Sequence, residues 1–443
     1  MPRRPPMGKI TPKILKGFRD YLPEKMILRE KIINTVKEVY EGFGFAPLQT
    51  PALEYAETLL GKYGEESDAL VYRFRDYGGR EVGLRFDLTV PLARVIAMYP
   101  ELPKPFKRYQ LAPVWRAEKP QKGRFREFIQ LDPDIVGVSS MMADAEIVNL
   151  IYETMKALGF SRFVIQINNR KILDGLISSL GIDKSQSPVV FRILDKLEKT
   201  SIEEVKKELV EKGFNKESAT KLLEFIQIEG SNQETLTQLK KLLSGNPKGI
   251  KGVEELESIL AYLKEVGIPE ENLKINLSIV RGLDYYTGPV FETIILDLPE
   301  VGSVFGGGRY DNLIGMFSEK EIPAVGVSIG IDRIFTVMDT LKMFPVKMAI
   351  SQILVTVFDK STEIQSLKLA NELRKLGINT EIYLGEGNLA KQFKYANKKG
   401  IPFVVVIGPD EIKKNQITIK DLKSGEQKKI KRDNLITILK MIK

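Results

Sequence analysis

The chain of 443 residues contains no cysteine and no histidine. Disulfide bonds and thiolate zinc sites are therefore excluded. Catalysis by a Ser-His-Asp or Cys-His arrangement, or by an imidazole proton shuttle, is excluded as well. Any reaction must depend on positioning and on fixed charges, which Arg, Lys, carboxylates, backbone dipoles or an oxygen-bound metal ion can supply. Phosphoryl and adenylyl transfer are reactions that this set of groups supports.

The sequence also lacks an apolar run long enough to cross a membrane, and it does not open with a signal peptide. Residues 1–15 are basic and rich in proline, which predicts a flexible arm. At this length two or more domains are expected. We therefore expect a cytoplasmic protein of several domains with no membrane partner.

The net charge of +9 comes entirely from one end of the chain. Residues 345–443 contain 19 Lys and Arg against 10 Asp and Glu, whereas the first 344 residues contain 48 of each. A basic excess confined to one segment is typical of a module that binds a polyanion such as nucleic acid. A soluble lysine-rich domain without such a partner is the alternative interpretation. Strands and helices alternate in this segment, which predicts a small α/β domain with a mixed sheet.

A second basic stretch, from Val114 to Gly137, has apolar residues on both sides of a break at residues 120–123. This pattern predicts a strand–turn–strand hairpin. Its basic residues are Arg116, Lys119, Lys122, Arg124 and Arg126. Guanidinium groups bind phosphate oxygens in two-point contacts, so several of them on one hairpin suit an anionic ligand. A solvated hairpin whose charges only maintain solubility is the other interpretation.

Other polar residues stand where the predicted elements change. Asp87 and Thr89 lie where a strand gives way to a helix, so they either cap the helix or face a ligand. The triple glycine at 306–308 allows close approach to a ligand or to another strand. Arg333 falls in the first turn of a predicted helix, where a cation opposes the helix dipole. That position favours an anionic group beside Arg333.

Helical periodicity predicts one long helix from Glu24 to about Gly42 and another from Ser140 to Leu158. Between about residues 173 and 266 short helices rich in Lys and Glu follow one another, without residues that indicate chemistry. The strand that ends at Pro51, together with the first long helix, is consistent either with ordinary packing or with a dimer surface.

Five segments together resemble the class II aminoacyl-tRNA synthetases, and specifically the histidyl-tRNA synthetase family. The helix and strand ending at Pro51, WRAEKPQKGRFREF (115–128) and GIDRI (330–334) are similar to the three class II motifs. VRGLDYYTG (280–288) and FGGGRYD (305–311) are similar to the two segments that distinguish the histidine-specific members. The resemblance extends from about Lys16 to the C-terminus.

This resemblance implies an α/β (α+β) fold with four parts. After the arm of residues 1–15, residues 16–172 and 267–344 would form a class II catalytic domain around an antiparallel sheet. Residues 173–266 would form a helical insertion. Residues 345–443 would form an anticodon-binding domain with a mixed α/β sheet, which agrees with the charge distribution. The family also implies a homodimer.

The resemblance implies ATP and Mg²⁺ as cofactors. The residues implied for ATP are Arg116, Glu118, Arg124, Phe128 and Arg333. Arg116 would bind the α-phosphate and Arg333 the γ-phosphate, with Glu118 near the adenine amino group and Phe128 against the ring. Arg116 and Arg281 would act as catalytic cations. The residues implied for the acceptor end of the tRNA are Lys119, Gln121, Lys122 and Arg124.

The resemblance also implies a site for histidine. Its residues would be Asp87, Leu88, Thr89, Arg116, Gln130, Asp134, Arg281, Tyr285, Tyr286 and Tyr310. Asp87, Thr89 and Gln130 would bind the α-ammonium group, while Asp134 and Tyr286 would pair with the imidazole nitrogens. A site whose buried polar groups stay unpaired with a wrong amino acid can discriminate by roughly 10⁴–10⁵ without editing.

The implied activity is a histidine–tRNA ligase, which forms histidyl-adenylate and pyrophosphate and then transfers histidine to the 3′ end of tRNA(His). One alternative is a non-catalytic histidine-binding regulatory paralogue of histidine biosynthesis. That paralogue typically lacks the C-terminal domain and some of the ATP-binding arginines, which are present here. Another alternative is a nucleic-acid-binding module without activity, which leaves the arginines of the first 344 residues unexplained.

Overall fold

The computed structural model describes residues 11–60, 69–120, 125–194, 200–279, 285–344 and 349–438. The chain divides into two units, Met1–Arg19 with Ile32–Val337 and Asp20–Lys31 with Met338–Lys443. Within the described ranges no helix combines the length and the hydropathy needed to cross a bilayer.

In the described part of the chain the strands form an eight-stranded, a five-stranded and a three-stranded sheet. In chain order they are β1 (Ala46–Pro47), β2 (Leu53–Tyr55), β3 (Arg73–Arg75), β4 (Glu81–Leu84), β5 (Phe106–Trp115), β6 (Glu127–Val136), β7 (Phe163–Asn169), β8 (Leu273–Ile275), β9 (Pro289–Ile295), β10 (Phe305–Arg309), β11 (Ala324–Gly330), β12 (Ile353–Val355), β13 (Thr380–Ile382), β14 (Phe403–Val406), β15 (Gln416–Asp421) and β16 (Gln427–Lys431).

The helices of the described ranges lie before, between and after these strands along the chain. They are α1 (Pro23–Gly42), α2 (Ala56–Leu59), α3 (Thr89–Met98), α4 (Met141–Ala157), α5 (Arg170–Ser179), α6 (Ser187–Leu194), α7 (Ile202–Glu211), α8 (Lys216–Ile226), α9 (Asn232–Leu242), α10 (Pro247–Glu265), α11 (Ile331–Thr340), α12 (Glu363–Lys375), α13 (Leu389–Lys399) and α14 (Pro409–Lys413).

The first unit contains a large sheet in the order β1-β5-β6-β11-β10-β9-β7-β8 and a small one in the order β2-β4-β3. In the large sheet the pairs β5–β6, β6–β11, β11–β10, β10–β9 and β9–β7 are antiparallel, and the two edge pairs β1–β5 and β7–β8 are parallel. The predicted hairpin at Val114 to Gly137 corresponds to β5 and β6, which pair over their full length. Residues 121–124, at its tip, lie outside the described ranges.

Successive side chains of a strand point to opposite faces, and this alternation decides what β6 presents to the site. Gln130, Asp132 and Asp134 therefore share one face of β6 and are all buried. Across β5 they oppose Ala112, Gln110 and Arg108. Asp132 and Asp134 thus lie beside the polar residues Gln110 and Arg108 in the middle of the large sheet.

The described residues between about 170 and 265 are mainly helical, as the periodicity of this segment predicts. Its helices begin at polar residues that cap them: Ser201 and Ser231 each form a capping box with a glutamate three residues later. Apolar faces of α7 to α10 are buried, for example at Leu209, Leu239 and Leu256. Capping and periodicity explain why this part could be recognised as helical without any functional motif.

The second unit has a mixed sheet in the order β13-β12-β14-β15-β16. Strands β12, β13 and β14 are parallel, and β14, β15 and β16 follow one another antiparallel. Its core is built from aliphatic residues, including Ile353, Leu369, Val405 and Ile419.

The sequence predicts all of these strands except β16, and it does not predict α14. Strand β16 reads QKKIK and exposes four of its five residues, so it has neither strong β propensity nor hydrophobic alternation. Part of the predicted final helix lies outside the described residues.

The triple glycine at 306–308 belongs to β10, and its members differ in their surroundings. A Cβ on Gly307 would lie 2.2 Å from the carbonyl oxygen of Gly326 and 2.5 Å from Cα of Val327. A Cβ on Gly308 would lie 2.5 Å from the carbonyl oxygen of Pro289. On Gly306 the nearest atom would be Oγ of Ser303, at 4.0 Å. Gly307 and Gly308 are therefore required by neighbouring strands, whereas Gly306 borders open space.

We expect Gly307→Ala to lower the free energy of unfolding by about 3 kcal/mol, because the added methyl overlaps the backbone of β11. The matched variant Gly306→Ala should change it by only about 0.5 kcal/mol. Urea unfolding, monitored by the fluorescence of the single tryptophan, Trp115, measures the free energy of unfolding of both variants. Equal stability of the two variants would contradict the assignment of Gly307 to strand packing.

Candidate active site

Two cavities lie side by side against β6, β10 and β11. The larger has a volume of about 280 Å³ and the smaller a volume of about 150 Å³. Four residues line both of them: Arg116, Gln130, Gly306 and Ser328. A ligand that reaches from one cavity into the other must therefore pass these four residues.

The larger cavity brings together the described residues that the sequence predicts for ATP. Arg116, Glu118, Phe128 and Arg333 all line it. They come from the end of β5, the segment after it, the start of β6 and the first turn of α11. These four residues supply two guanidinium groups, a carboxylate and an aromatic ring, a combination that suits a nucleotide with phosphates.

Arg116 is held in a defined position at the end of β5. Its Nε donates to the carbonyl oxygen of Phe86 at 3.1 Å, and its Cζ lies 5.2 Å from the centre of the Phe128 ring. Guanidinium has five N–H donors in a rigid fork. Anchoring through Nε leaves the two terminal nitrogens to carry the remaining donors, which can bind a phosphate in two-point contact.

Arg333 lies in the first turn of α11, as the sequence predicts, and its Nη1 donates to the carbonyl oxygen of Ser303. The neighbouring Asp332 places a negative charge in the same turn, which offsets the unfavourable position of Arg333. Asp332 also connects distant segments, because Arg19 Nη2 lies 2.6 Å from its Oδ1 and the Ile129 backbone N–H donates to its Oδ2 at 3.0 Å.

The smaller cavity brings together most residues that the sequence predicts for histidine. Those that line it are Asp87, Thr89, Arg116, Gln130, Asp134, Tyr285, Tyr286 and Tyr310. Asp87 also accepts the backbone N–H of Val90 at 3.1 Å, so it both caps α3 and faces the cavity. Leu88 is fully buried, and its carbonyl oxygen accepts Arg108 Nη2 at 3.2 Å.

Asp134 is the best-anchored carboxylate of the smaller cavity. The Tyr310 hydroxyl donates to its Oδ1, and Nη2 of the fully buried Arg108 lies 2.7 Å from its Oδ2 as an ion pair without hydrogen-bond geometry. Burial raises the pKa of Asp134, whereas Arg108 and the hydrogen bond from Tyr310 act to lower it. Burial also raises the pKa of Tyr310 well above its ordinary range, so this hydroxyl keeps its proton and remains a donor.

Aromatic rings form one side of the smaller cavity. The ring centres of Tyr285 and Tyr286 are 4.7 Å apart, and those of Tyr285 and Tyr310 are 5.8 Å apart. The cavity therefore offers flat apolar surfaces beside acidic groups. An imidazole ring with N–H groups matches that combination.

The sequence did not identify four residues of the site: Arg108, Asp132, Ser328 and Glu292. Arg108 pairs with Asp134, Asp132 and Ser328 line the smaller cavity, and Glu292 lines the larger one. The alternation of β5 contained a signal for Arg108, because Arg108 and Gln110 share a face that opposes Asp134 and Asp132 once the hairpin is paired. For Glu292 and Ser328 only the sheet order reveals the position.

Some predicted site residues cannot be placed. Arg281, Gln121, Lys122 and Arg124 lie outside the described residues. Lys119 is exposed just before that gap, in the segment that follows β5. Its predicted contact with the acceptor end of tRNA remains a prediction.

Comparisons with known proteins address the family directly. A family model described as "Histidyl-tRNA synthetase" matches residues 17–334, and a model described as "Anticodon binding domain" matches residues 352–442. A histidine–tRNA ligase of Rhodopirellula baltica is 44% identical over 423 residues, which cover 95% of this chain and 96% of that protein. A histidine–tRNA ligase of Wolinella succinogenes is also 44% identical, over 95% of this chain and 96% of that protein.

Solved structures agree with these matches. The crystal structure of the histidyl-tRNA synthetase from Nostoc sp. PCC 7120 superposes with a TM-score of 0.87 at 35% identity, covering 98% of this chain and all of that one. An ATP phosphoribosyltransferase regulatory subunit/histidyl-tRNA synthetase from Bacillus halodurans shares the fold, with a TM-score of 0.75 at 22% identity. The resemblance and the fold class predicted from the sequence are therefore confirmed, and the chain belongs to the histidyl-tRNA synthetase family.

Proposed function

We propose that the chain catalyses the histidine–tRNA ligase reaction at the two adjoining cavities. A carboxylate oxygen of histidine attacks the α-phosphorus of ATP, the bond from that phosphorus to the β-phosphate oxygen breaks, and pyrophosphate leaves. The 3′-terminal ribose of tRNA(His) then takes the histidyl group, and AMP leaves. The observation that supports this most is the shared lining of the cavities, because Arg116 and Gln130 border both.

The larger cavity takes ATP in this proposal. Arg116 binds the α-phosphate, and its anchored guanidinium stabilises the negative charge that develops there during attack. Phe128 packs against the adenine ring with Glu118 near the amino group, and Arg333 binds the γ-phosphate. Arg281 adds a second cation at the reacting carboxylate, a role that rests on the sequence alone.

The smaller cavity takes histidine. Asp134, held by Arg108 and Tyr310, accepts an imidazole N–H, and Tyr286 binds the other ring nitrogen. Asp87, Thr89 and Gln130 surround the α-ammonium group. Since these buried groups would remain unpaired with an apolar amino acid, the site discriminates without an editing domain.

The Mg²⁺ ion that the family implies accompanies the nucleotide phosphates. Among the described residues no group of three acidic side chains could hold a metal ion on its own. Glu292 lines the larger cavity, and Mg²⁺ is usually bound by one or two carboxylates together with phosphate oxygens and water. Glu292 therefore fits an ion that arrives with ATP, and such an ion would neutralise charge on the departing pyrophosphate.

The remaining partners follow from the charge distribution and the family. Residues 345–443, with their basic excess, bind the anticodon region of the tRNA, and residues 173–266 form the insertion between the parts of the catalytic domain at 16–172 and 267–344. Lys119, Gln121, Lys122 and Arg124 meet the acceptor end. The protein acts as a homodimer in the cytoplasm.

Two alternatives from the sequence are less well supported. Relatives with 40% identity or more over nearly the whole chain bear the name histidine–tRNA ligase, whereas the regulatory-subunit likeness is at 22% identity and concerns the fold alone. A nucleic-acid-binding module without activity does not account for the arginines of the larger cavity. The ligase reaction accounts for both cavities and for the basic segment.

Pyrophosphate exchange into ATP, measured with each amino acid in turn, tests the activity. We expect exchange with histidine and at least about 10⁴-fold less with the other amino acids. Exchange that is absent with histidine would refute the ligase reaction, while histidine binding without exchange would support the regulatory paralogue.

We expect Arg116→Ala to reduce kcat/KM for histidine-dependent exchange by about 10²–10³, because the charge that develops on the α-phosphate loses its donor. Arg281→Ala should abolish adenylate formation while the protein remains folded. A suitable control is Arg162→Ala, since Arg162 is exposed and paired with Asp297 at 2.6 Å. Exchange by the Arg116 variant at the control rate would exclude its proposed role.

Binding of tRNA(His) should weaken by about 10³ or more between 50 and 200 mM salt, because a basic segment that contacts six or more phosphates releases counterions. Filter binding at several salt concentrations measures the slope. Histidine-dependent exchange, which needs no tRNA, serves as the control and should change far less. A tRNA affinity independent of salt would contradict the role of residues 345–443.

A further inference from the structure

Asp132 lies on β6 between Gln130 and Asp134, two proposed histidine ligands. It is 3% exposed, and alternation along β6 places it on the same face as Gln130 and Asp134. It lines the smaller cavity. A buried carboxylate is costly unless it is paired, so its presence in the cavity requires an explanation.

Two acceptor oxygens of this face lack a hydrogen-bond partner among the described residues. They are Oδ1 of Asp132 and Oε1 of Gln130, both buried. Gln130 Nε2 donates to Ser328 Oγ at 2.7 Å, and Ser328 lies close enough to Asp132 to lower the pKa of that carboxyl group. Since Ser328 accepts from Gln130, its own proton is available to Asp132. Ser328 thus holds the Gln130 amide in place, and one acceptor of each side chain remains for a ligand.

The charges around the cavity call for a cationic ligand at this point. Asp87, Asp132 and Asp134 all line it, and the buried Arg108 is already paired with Asp134. Asp87 and Asp134 are close enough to act electrostatically on Asp132. Among the described residues the smaller cavity thus combines three carboxyl groups with the guanidinium groups of Arg108 and Arg116, so a ligand with one positive charge and several N–H donors would complete the balance.

We propose, on the basis of the function proposed above, that Asp132 binds the α-ammonium group of histidine together with Gln130, and that Ser328 is a positioning residue for both. An ammonium group has three N–H donors, which matches the open oxygens of Asp132 and Gln130 and the carboxylate of Asp87. The imidazole end is served by Asp134, whose oxygens are already oriented by Arg108 and Tyr310. The amino acid thus lies along β6.

In this arrangement the binding of histidine is coupled to the release of a proton from Asp132. Burial raises the pKa of Asp132 to about 8, with Asp134 and Asp87 adding to the increase, while Ser328 and Arg108 oppose it. Tyr40 and Tyr286 also face this charge, and their own pKa values are raised, so both stay neutral. Below pH 8 the free protein therefore holds a proton on Asp132, and a bound ammonium group displaces it.

The sign of the pH dependence follows from the raised pKa. A carboxyl group that must ionise to bind a cation binds it less well as the pH falls through its pKa. Affinity for histidine should therefore fall about fivefold from pH 8 to pH 7 through Asp132 alone. An unperturbed imidazole titrates near pH 6.5, below this window.

The test uses the full chain carrying Asp132→Asn and two ligands, histidine and imidazolepropionate, which is histidine without its ammonium group. We expect the KM for histidine in pyrophosphate exchange to rise at least about tenfold, because a charge-assisted hydrogen bond is lost. The KM for ATP should stay within about twofold of the wild-type value, as expected for a residue outside the ATP contacts. Calorimetry should show that the variant binds imidazolepropionate as tightly as the wild type does. It should also show that the affinity of the variant for histidine no longer changes between pH 7 and pH 8.

The control variant is Asp410→Asn, which removes one negative charge from an exposed position in the second unit. If Asp132→Asn proves unstable in thermal melting, Ser328→Ala replaces it. That variant keeps both acceptors but releases the Gln130 amide, so the KM for histidine should rise about threefold or more, in the range of one neutral hydrogen bond.

An unchanged KM for histidine in both variants overturns the proposal, and so does equal weakening of histidine and imidazolepropionate. Either result would assign Asp132 to the stability of β6 or to the imidazole end. Failure of the function itself is distinguishable, because the wild-type chain would then show no histidine-dependent exchange at all.

Discussion

The buried ion pair between Arg108 and Asp134 is the interaction on which the smaller cavity depends. Arg108 is fully buried, and besides Asp134 it binds the carbonyl oxygens of Asp132 and Leu88. It therefore joins β5, β6 and the start of α3 around one charge. Removing either partner would leave an uncompensated charge in the interior, which is far more costly than the pair itself is favourable.

Small residues give this pair the space it needs. A Cβ on Gly326 would lie 1.9 Å from Oδ1 of Asp134, and a Cβ on Gly307 would lie 2.2 Å from the carbonyl oxygen of Gly326. Strands β10 and β11 therefore approach each other closely, and Tyr310 just beyond β10 reaches Asp134. The acidic pocket exists because glycine occupies these facing positions.

Arg116 stands where the two cavities adjoin and lines both of them. Arg333 lines the larger cavity, whereas Asp87, Asp132 and Asp134 line the smaller one. An amino acid whose ammonium group lies among the carboxylates must direct its own carboxylate toward Arg116, where the proposed α-phosphate lies. The electrostatics of the site thus set the orientation of the amino acid, and the anchored side chains provide it before any ligand arrives.

The sequence by itself determined the element types, the residues that could carry chemistry and the family. Periodicity revealed the long helices and the hairpin of β5 and β6, and the absence of Cys and His restricted catalysis to fixed charges. Local motifs pointed to Arg116, Gln130, Asp134, Tyr310 and Arg333, because each stands in a short segment typical of the family. The sequence did not reveal strand β16, whose lysines carry no hydrophobic alternation.

Only the tertiary structure decided which residues meet. Ser328 and Gln130 are almost two hundred positions apart, yet the pairing of β6 with β11 lets the Gln130 amide donate to the Ser328 hydroxyl. In the sequence Arg108 is one more basic residue in a strand. Only the pairing of that strand buries the Arg108 side chain against Asp134. Whether a charged side chain is buried, and which group it pairs with, depends on strand order and register. Long-range packing sets strand order and register, rather than local sequence. Burial and pairing in turn decide what each charged group does.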